Sequence, residues 1–300
     1  MRCKINLIDL HIHSTYSDGS YTVKEILKEA ENKKLEYISI TDHDCVDAYN
    51  ELSNIDVKNY YKGKIIVGCE FKCYLESFDI PIEILGYGLD LNIIKAYLKK
   101  NDIMKVQRKY LEYLKEQGKK IGLIFDTNLK LTDKHCYASA VFQEELLKYH
   151  ENKEIMRKNN ISLQPNFYRA EQCNKNSIFY IDENKNSISI GKLLEKIHEA
   201  KGLAFLAHPY IYPIDDTEEM LEYVVKKYKL DGIECYYSTF SEKQKQAMIN
   251  CTQKYNLYIS GGTDFHGISK PDIEVGTGRG NFYIKKEVIS DWINKINKFV

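Results

Sequence analysis

The stretch INLIDLHIHSTYSDG at residues 5–19 decides the fold class and marks the site. Its apolar first half predicts a short strand over Ile5–Leu10, and side chains two residues apart on a strand point to the same face. His11 and His13 therefore leave the strand end on one side, and the next loop returns Asp18 toward them. Imidazole and carboxylate groups together suit zinc, manganese or iron. The block thus predicts the start of a metal site.

Further apolar runs follow the same plan of a strand that ends in a polar ligand. They read EYISITDHD (36–44), KIIVGCE (64–70), LAFLAHP (203–209) and LYISGGTDFH (257–266). A parallel α/β barrel builds its site in this way, at the carboxyl ends of its strands. Structural, hydrogen-bonded histidines are the alternative, but five of the eight histidines share this context. The predicted ligands are therefore His11, His13, Asp18, His43, Glu70, His208, Asp264 and His266.

The composition predicts a cytoplasmic protein without a membrane partner or a stable nucleic-acid complex. Lysine plus arginine equals aspartate plus glutamate at 43 each, so no strong overall field attracts the chain to either. The sequence lacks the run of about 18 apolar residues that a transmembrane helix needs, and its first residues lack a signal-peptide core. The eight cysteines are scattered without a CxxC pair, as expected of reduced thiols.

Strand and helix signals alternate at both ends of the chain but not in its middle. Thr22-Val23-Lys24-Glu25 has the capping-box form of a helix N-terminus, and strand signals return at 65–67 and 82–85. Such βαβ alternation favours a parallel sheet. Residues 92–188 are instead helical and then polar, without ligand-bearing strands. The chain thus predicts one α/β domain formed by residues 1–91 and 189–300, with an inserted, mostly helical subdomain over 92–188.

Seven motifs in a fixed order carry a resemblance to a known family. The chain contains HIHSTYSDGS, ITDHD, VGCEF, LGYG, LAHP, GIECYY and GGTDFHG. In this combination it resembles the PHP superfamily, named for polymerase and histidinol phosphatase, and most closely its stand-alone metal-dependent phosphoesterases. That branch includes nucleotide phosphatases and a 5′-to-3′ exoribonuclease. The resemblance covers about residues 5–90 and 190–300. It implies a distorted (β/α)7 TIM-like barrel that binds two or three divalent ions, zinc, manganese or iron, in one cleft.

The resemblance also implies how the ligands are shared among the ions. The first ion would be held by His11, His13, Glu70 and Asp264. Glu70 would bridge to a second ion, which His208 also holds. Asp18, His43 and His266 would hold a third.

One position departs from the family pattern. The segment PIEILGY at residues 81–87 has Glu83 where the family usually has a histidine ligand of the second ion. A carboxylate can still ligate, and an oxygen donor tilts the preference from zinc toward manganese or iron. We therefore expect Glu83 to be a ligand. The alternative is that Glu83 points elsewhere and the second site is weak or empty.

Two or three divalent ions in one cleft suit the hydrolysis of a phosphate ester. They lower the pKa of a bound water and stabilise the attacking and leaving oxygens. We expect a metal-bridging hydroxide as the nucleophile, and the expected catalytic groups are Asp18, His43, Glu70, His208 and Asp264. Consistent with this, the chain has no G-x-S-x-G elbow and no P-loop. The expected substrate is a small phosphorylated molecule, either a nucleotide or a short RNA.

Cationic and acidic side chains outside the ligand set are candidates for supporting roles. The substrate phosphate is expected to meet at least one cation from the set Arg108, Lys134, His135, Arg169 and Lys270. Glu234, at a strand end, is expected to orient a ligand histidine, and Asp42 and Asp44 are expected to do the same for His43.

Two other functions remain open from the sequence. The first is histidinol-phosphate phosphatase, which the SDG, TDHD and GGTDFHG wording disfavours without excluding it. The second is a non-catalytic metal-binding module, in which Glu83 would mark a degraded site.

Overall fold

The chain forms an α/β fold in which strands and helices alternate at both ends of the sequence. The computed structural model describes residues 6–101, 103–132, 137–164, 166–182, 188–296 and 300. The strands are β1 Leu7–Ile12, β2 Leu35–Ile40, β3 Lys64–Ile65, β4 Gly68–Leu75, β5 Ile80–Tyr87, β6 Leu203–Leu206, β7 Gly232–Tyr237, β8 Tyr258–Gly262 and β9 Ile284–Lys285. The α-helices are α1 Val23–Asn32, α2 Ala48–Ser53, α3 Leu91–Asn101, α4 Ile103–Lys120, α5 Ala138–Leu147, α6 Asn152–Lys158, α7 Ile190–Glu199, α8 Thr217–Lys227 and α9 Glu242–Tyr255.

The described strands form two sheets that meet where β1 and β2 end. One sheet has the order β3-β2-β1-β9 and the other β4-β5-β6-β7-β8. Two isolated parallel bridges link them, Ile12 with Phe265 and His43 with Glu70. These bridges bring the carboxyl ends of β1 and β2 against the start of β4 and the residues after β8. The sheets therefore meet at the predicted ligands, while closure into a (β/α)7 barrel stays a prediction.

The prediction of a parallel strand at residues 82–85 is wrong. This segment lies in β5, which runs antiparallel to both β4 and β6. Only residues 76–79 join β4 to β5, a turn that ends with Asp79 in the left-handed region at φ 54°. A parallel pair needs a crossover of about a dozen residues or more, so this short connection imposes a hairpin. The pairs β1–β2, β2–β3, β6–β7 and β7–β8 are parallel, as predicted. The short strand β9 pairs with β1 in the antiparallel direction.

Helix α1 begins where the capping box predicts. Thr22 Oγ1 accepts a hydrogen bond from the backbone N–H of Glu25, and the Glu25 carboxylate accepts from the backbone N–H of Thr22 at 2.8 Å. This satisfies donors that a helix start otherwise leaves unpaired. The apolar face of α1 is buried against β2, and it consists of Val23, Ile26, Leu27 and Ala30.

The apolar side chains of residues 111–179 pack into a cluster of their own. Phe142 is fully buried at its centre, and its ring centroid lies 5.4 Å from that of Phe125 and 5.5 Å from that of Phe167. The main core belongs to the strands and to helices such as α1 and α7. The segment between β5 and α7 thus has its own hydrophobic core.

None of the described helices is both long and apolar enough to cross a membrane.

Candidate metal centre

The end of β1 presents its two histidines on one side, as the alternation of strand side chains predicts. His11 and His13 are fully buried, and their Nε2 atoms lie 3.1 Å apart. Backbone hydrogen bonds from Asp264 N to His11 O (2.8 Å) and from His13 N to Phe265 O (2.9 Å) bind this end to the residues after β8. Gly262 permits the approach, because a Cβ there would lie 2.2 Å from the Cβ of His11.

Four donor atoms converge at this end of the sheet. His13 Nε2 lies 3.2 Å from Glu70 Oε2 and 3.2 Å from Asp264 Oδ1. His11 Nε2 lies 3.2 and 3.5 Å from the same two oxygens. A tetrahedral ion with ligands at about 2.0–2.1 Å separates its ligand atoms by about 3.3–3.4 Å. The spacing of the four atoms therefore fits one small divalent cation.

The Glu70 carboxylate tests whether these residues fit a cation. Glu70 is fully buried, and its Oε2 has no hydrogen-bond partner among the described residues. His43 Nδ1 lies 3.1 Å from this oxygen and is likewise without a hydrogen bond within the described chain. Burial opposes the charged form of Glu70, but the charges of His11 and His43 outweigh it and hold its pKa well below the usual value. An ionised oxygen that is buried among imidazole nitrogens, without a hydrogen bond to any of them, is what a bound cation would satisfy.

The second oxygen of Glu70 faces a different set of donors. Glu70 Oε1 lies 2.8 Å from His208 Nε2, which is 3.5 Å from Glu83 Oε2. His208 adopts φ 26° and Asp264 φ 55°, a backbone region that residues other than glycine rarely occupy. Strain of this kind persists where the surroundings fix a side chain in place.

Glu70 directs one oxygen at His11 and His13 and the other at His208. Its carboxylate can therefore bridge two neighbouring cation positions.

A third group of donors surrounds Asp18. Asp18 Oδ1 lies 3.2 Å from His266 Nε2, and Asp18 Oδ2 lies 3.7 Å from His43 Nε2. Burial would raise the pKa of Asp18, but the charges of His266 and His43 outweigh it and lower that pKa well below its usual value. Together with His13, these three residues offer ligand atoms that all lie within 4.8 Å of one another.

Glu234 contacts two of the histidines, as expected, although it lies within β7 and not at its end. Its Oε1 lies 2.8 Å from His11 Nδ1, and its Oε2 accepts a hydrogen bond of 2.8 Å from the backbone N–H of His208. A carboxylate in this place fixes the tautomer and the ring orientation of a ligand histidine. One buried side chain on β7 thus aligns His11 in β1 and His208 just after β6.

Asp42 and Asp44 have contacts other than the predicted ones to His43. Asp42 accepts hydrogen bonds from Ser14 N (2.7 Å), Ser14 Oγ (2.6 Å) and Ser17 Oγ (2.7 Å), so it fixes the loop that carries Asp18. Asp44 accepts a hydrogen bond of 3.3 Å from the backbone N–H of Lys72, and burial raises its pKa to about 7.

The donors open into a cleft that the segment between β5 and α7 covers on one side. The cleft has a volume of ≈ 540 Å³. Tyr137, just before α5, donates a hydrogen bond of 2.8 Å to the backbone oxygen of His43. Arg169 lies in a short π-helix, Tyr168–Gln172, and forms an ion pair with Glu83. Both parts of the chain therefore contribute side chains to the cleft.

Comparison with protein-family models finds one family that matches most of the chain. The model of the PHP domain matches residues 9–255, more than half of the chain. The chain belongs to the PHP domain family. The resemblance inferred from the seven motifs is thereby confirmed, and membership of this family is consistent with a metal-dependent hydrolase.

Characterised PHP relatives include enzymes that act on phosphate esters. A 5′-3′ exoribonuclease of Haemophilus influenzae is 25% identical over 263 residues, which is 86% of this chain and 89% of the relative. A phosphoribosyl 1,2-cyclic phosphate 1,2-diphosphodiesterase of Eggerthella lenta is 21% identical over 260 residues, 86% of this chain and 94% of the relative.

A solved structure shares the fold over nearly the whole length of both chains. It is a candidate metal-dependent phosphoesterase from Bifidobacterium adolescentis, with a TM-score of 0.74 and 17% identity. The alignment covers 98% of this chain and 97% of the other. The mixed α/β architecture of this PHP chain is therefore that of a known fold.

The predicted substrate-binding cations have different positions relative to the PHP cleft. Lys270 lines the cleft and forms an ion pair with Asp264. Arg169 lines it too and pairs with Glu83. Arg108 is exposed on α4 and is not one of the described side chains that line the cleft. Lys134 and His135 lie outside the described residues.

Sequence reasoning missed Tyr237, which contacts a predicted ligand. Its hydroxyl donates a hydrogen bond of 2.6 Å to Asp264 Oδ2. Glu234 and Tyr237 are three residues apart, so strict alternation would place them on opposite faces of β7. An irregularity in the pairing with β8 between Glu234 and Tyr236 shifts the alternation and turns both side chains toward the centre. The aromatic pair in GIECYY was the available signal, but a register shift is not visible in the letters.

Proposed function

We propose that this chain is a metal-dependent phosphoesterase that hydrolyses phosphate esters of nucleotides or short oligonucleotides. The observation that carries the proposal is the fully buried Glu70, whose Oε2 has no hydrogen-bond partner within the described chain and lies among three imidazoles. A hydrogen-bonded structural core would not leave such an oxygen without a hydrogen bond. The other potential ligand atoms face it at distances that suit bound cations.

The ligand sets follow from which donors face one another. The first position would use His11, His13, Glu70 and Asp264. The second would use Glu70, His208 and Glu83, and the third Asp18, His43 and His266. Divalent zinc, manganese or iron bound there would activate water near neutral pH and neutralise charge that develops on a phosphate. Asp18, His43, Glu70, His208 and Asp264 are the proposed catalytic groups.

The protein's own cations and hydrogen bonds would position the substrate. Lys270 and Arg169 line the cleft, so either ammonium or guanidinium can meet a phosphate oxygen that enters it. Tyr237 and Lys270 hold Asp264 from its Oδ2 side and leave Oδ1 directed at the histidines. Glu234 keeps His11 in one orientation. These contacts preorganise the charges that a phosphoryl group would encounter.

The size of the cleft and the known relatives both support a nucleotide or a short RNA as the substrate. A volume of ≈ 540 Å³ lies within the range of about 300–1,000 Å³ that is usual for small-molecule sites. The relatives named above act on RNA and on a phosphoribosyl cyclic phosphate.

We also propose that residues 1–91 and 189–300 form a distorted (β/α)7 barrel and that residues 92–188 form an inserted helical subdomain. The bridges between β1, β2, β4 and the residues after β8 support a barrel-like closure around the ligands. The hydrophobic cluster between Leu111 and Phe179 supports a separate packing unit. The substrate would bind between the two, because both contribute to the cleft.

A substrate panel after metal exchange tests the proposed activity. The purified chain is stripped with a chelator, reloaded with manganese, zinc or iron(II), and assayed with nucleoside monophosphates, 3′,5′-bisphosphates, short RNA and histidinol phosphate. We expect metal-dependent hydrolysis that is fastest with a nucleotide or an RNA end. His13→Ala should abolish it, whereas His150→Ala, which alters an exposed histidine outside the cluster, should not. Preference for histidinol phosphate, or a folded chain that takes up no metal, would contradict the proposal.

A further inference from the structure

One oxygen of Glu83 faces both the Arg169 guanidinium and the place where a second cation would bind. Glu83 Oε2 faces His208 Nε2 at 3.5 Å, where a cation at the second position would bind. The same atom accepts the hydrogen bond of the Arg169 guanidinium. Glu83 is buried, with 3% of its side chain exposed, and Arg169 is partly buried, with 14% exposed. Water therefore screens this arrangement little.

The guanidinium and a divalent ion compete for this oxygen. His43, Glu70 and Glu83 offer ligand atoms that all lie within 4.8 Å of one another, so Glu83 belongs to the donor set around Glu70. A cation bound through Glu83 Oε2 would lie next to the positive charge of Arg169. In a poorly screened site, two such charges repel strongly. We therefore expect a cation to bind through Glu83 more weakly while Arg169 holds the same oxygen.

Arg169 is placed so that it can leave Glu83 without leaving the cleft. It lies in the π-helix Tyr168–Gln172, and such turns occur frequently at functional sites. Its guanidinium carbon lies 5.3 Å from the ring centroid of Tyr168 and 5.7 Å from that of Tyr212. Aromatic faces attract a cation over a range of positions. Arg169 and Tyr168 both line the cleft that a phosphate would enter.

We propose that Arg169 makes the second metal position conditional on an anion in the cleft. In the anion-free protein, Arg169 holds Glu83 and weakens this position. A phosphate group attracts Arg169 away from Glu83, and the carboxylate is then free to complete the donor set with Glu70 and His208. The inference rests on the proposed function and concerns the regulation of the same site. Metal loading and substrate binding are therefore coupled, and each strengthens the other.

The expected size of the coupling follows from the population of the Arg169–Glu83 pair. If the pair is formed in about nine of ten anion-free molecules, the apparent affinity of the second position is reduced about tenfold. Removing the guanidinium should raise the apparent manganese affinity of the second position about tenfold when no anion is present. A role of Arg169 that is only structural predicts the opposite, because loss of its contacts would loosen Glu83 and weaken metal binding.

Manganese titration tests the inference without measuring activity. The full chain is titrated by calorimetry, and bound metal is counted by mass spectrometry, with and without methylphosphonate as a phosphate mimic that cannot be hydrolysed. We expect wild-type protein to bind manganese at the second position about tenfold more tightly with the mimic. Arg169→Gln should show the tighter binding without it. Glu83→His should also show the tighter manganese binding without the mimic, because a neutral imidazole does not form an ion pair with the guanidinium.

Arg279→Gln is the matched control. Arg279 also lines the cleft, but its guanidinium lies 3.3 Å from Asp272 Oδ2 instead of on Glu83. The control removes one positive charge from the same cleft and should leave the anion-free manganese affinity unchanged. If Arg279→Gln and Arg169→Gln raise the manganese affinity equally, the effect comes from net charge alone, and the inference is overturned.

The remaining outcomes separate this inference from the proposed function. Manganese binding without the anion is the deciding quantity. If it is unchanged or weaker in both Arg169→Gln and Glu83→His, and both proteins melt cooperatively, the inference is overturned. The proposed function still stands in that case, provided that His13→Ala abolishes manganese binding at the first position. Failure of wild-type protein to bind manganese at any position overturns the proposed function, and the inference with it.

Discussion

The ligand cluster at the strand ends and the Glu83–Arg169 pair form the same cleft in different ways. His11 lies in β1, and His13 and Asp264 follow β1 and β8. Backbone hydrogen bonds join these two segments, so the sheets set the positions of the three residues. The pair instead joins a strand to a π-helix that is 86 residues away in the chain. The sheets thus position the proposed metal ligands, while the covering segment supplies the contact that we propose can change.

The substitution Asp264→Asn should have the largest effect, since it acts on the rigid side of this comparison. The amide keeps the hydrogen-bond acceptor for Tyr237 but removes the negative charge that faces His11 and His13. We expect hydrolysis to fall about a thousandfold or more, which is about 4 kcal/mol of lost transition-state stabilisation. Steady-state kinetics checks the rate, and circular dichroism should show an unchanged fold. Activity within tenfold of wild type would remove Asp264 from the first ligand set.

The substitution Phe142→Ala acts on the covering segment instead. Phe142 is fully buried among Phe125, Phe167 and Phe179, so its loss should destabilise this cluster by about 3–5 kcal/mol. If residues 92–188 pack as a separate unit, hydrogen exchange should accelerate there and remain slow in β1 and β8. Manganese binding at the first position should persist. Uniform acceleration across the whole chain would argue against a separate unit.

The substitution Glu234→Gln tests how the rigid side is aligned. The carboxylate contacts the ring of His11 and the backbone of His208, so its replacement should misalign two ligands. We expect metal affinity to fall about 10- to 100-fold, the usual range for partners of ligand side chains. Competition with a fluorescent chelator measures this affinity. Glu242→Gln, on the exposed surface of α9, is the matched control and should change nothing.

The substitution Tyr237→Phe should have the smallest effect of the four. It removes one hydrogen bond of 2.6 Å to Asp264 Oδ2, while Lys270 still pairs with that oxygen. A hydrogen bond to a charged group contributes about 1.5–3 kcal/mol, and the remaining lysine should compensate for part of it. We expect about a tenfold loss of turnover with little change in metal content. The double variant with Lys270→Gln should lose more than the product of the two single losses, because the two groups share one acceptor.

The convergence of the proposed ligands was predictable in part from the sequence, because alternation is a local property. His11 and His13 share a face on account of their spacing alone, and the apolar runs before His43 and His208 mark where strands end. The run before Glu70 does not, because Glu70 lies near the start of β4 and not at the end of a strand. The direction of β5 was not predictable in this way, since a four-residue connection decided it. The contact of Tyr237 depended on a pairing irregularity in β7.

The contact between Arg169 and Glu83 was also beyond the reach of the sequence. Its two residues were predicted separately, one as a cation for phosphate and the other as a ligand. Their meeting depends on how the covering segment packs over the strands. No periodicity in the sequence encodes that arrangement, because the contact joins distant parts of the chain through tertiary packing alone.

The position of a bound metal tests the central claim most directly. Crystals of the full chain grown with manganese would be measured with anomalous scattering at the manganese edge. We predict a peak about 2.0–2.2 Å from His11 Nε2, His13 Nε2, Glu70 Oε2 and Asp264 Oδ1. An anomalous map without a peak among these four atoms, in crystals that contain manganese elsewhere, would contradict the account.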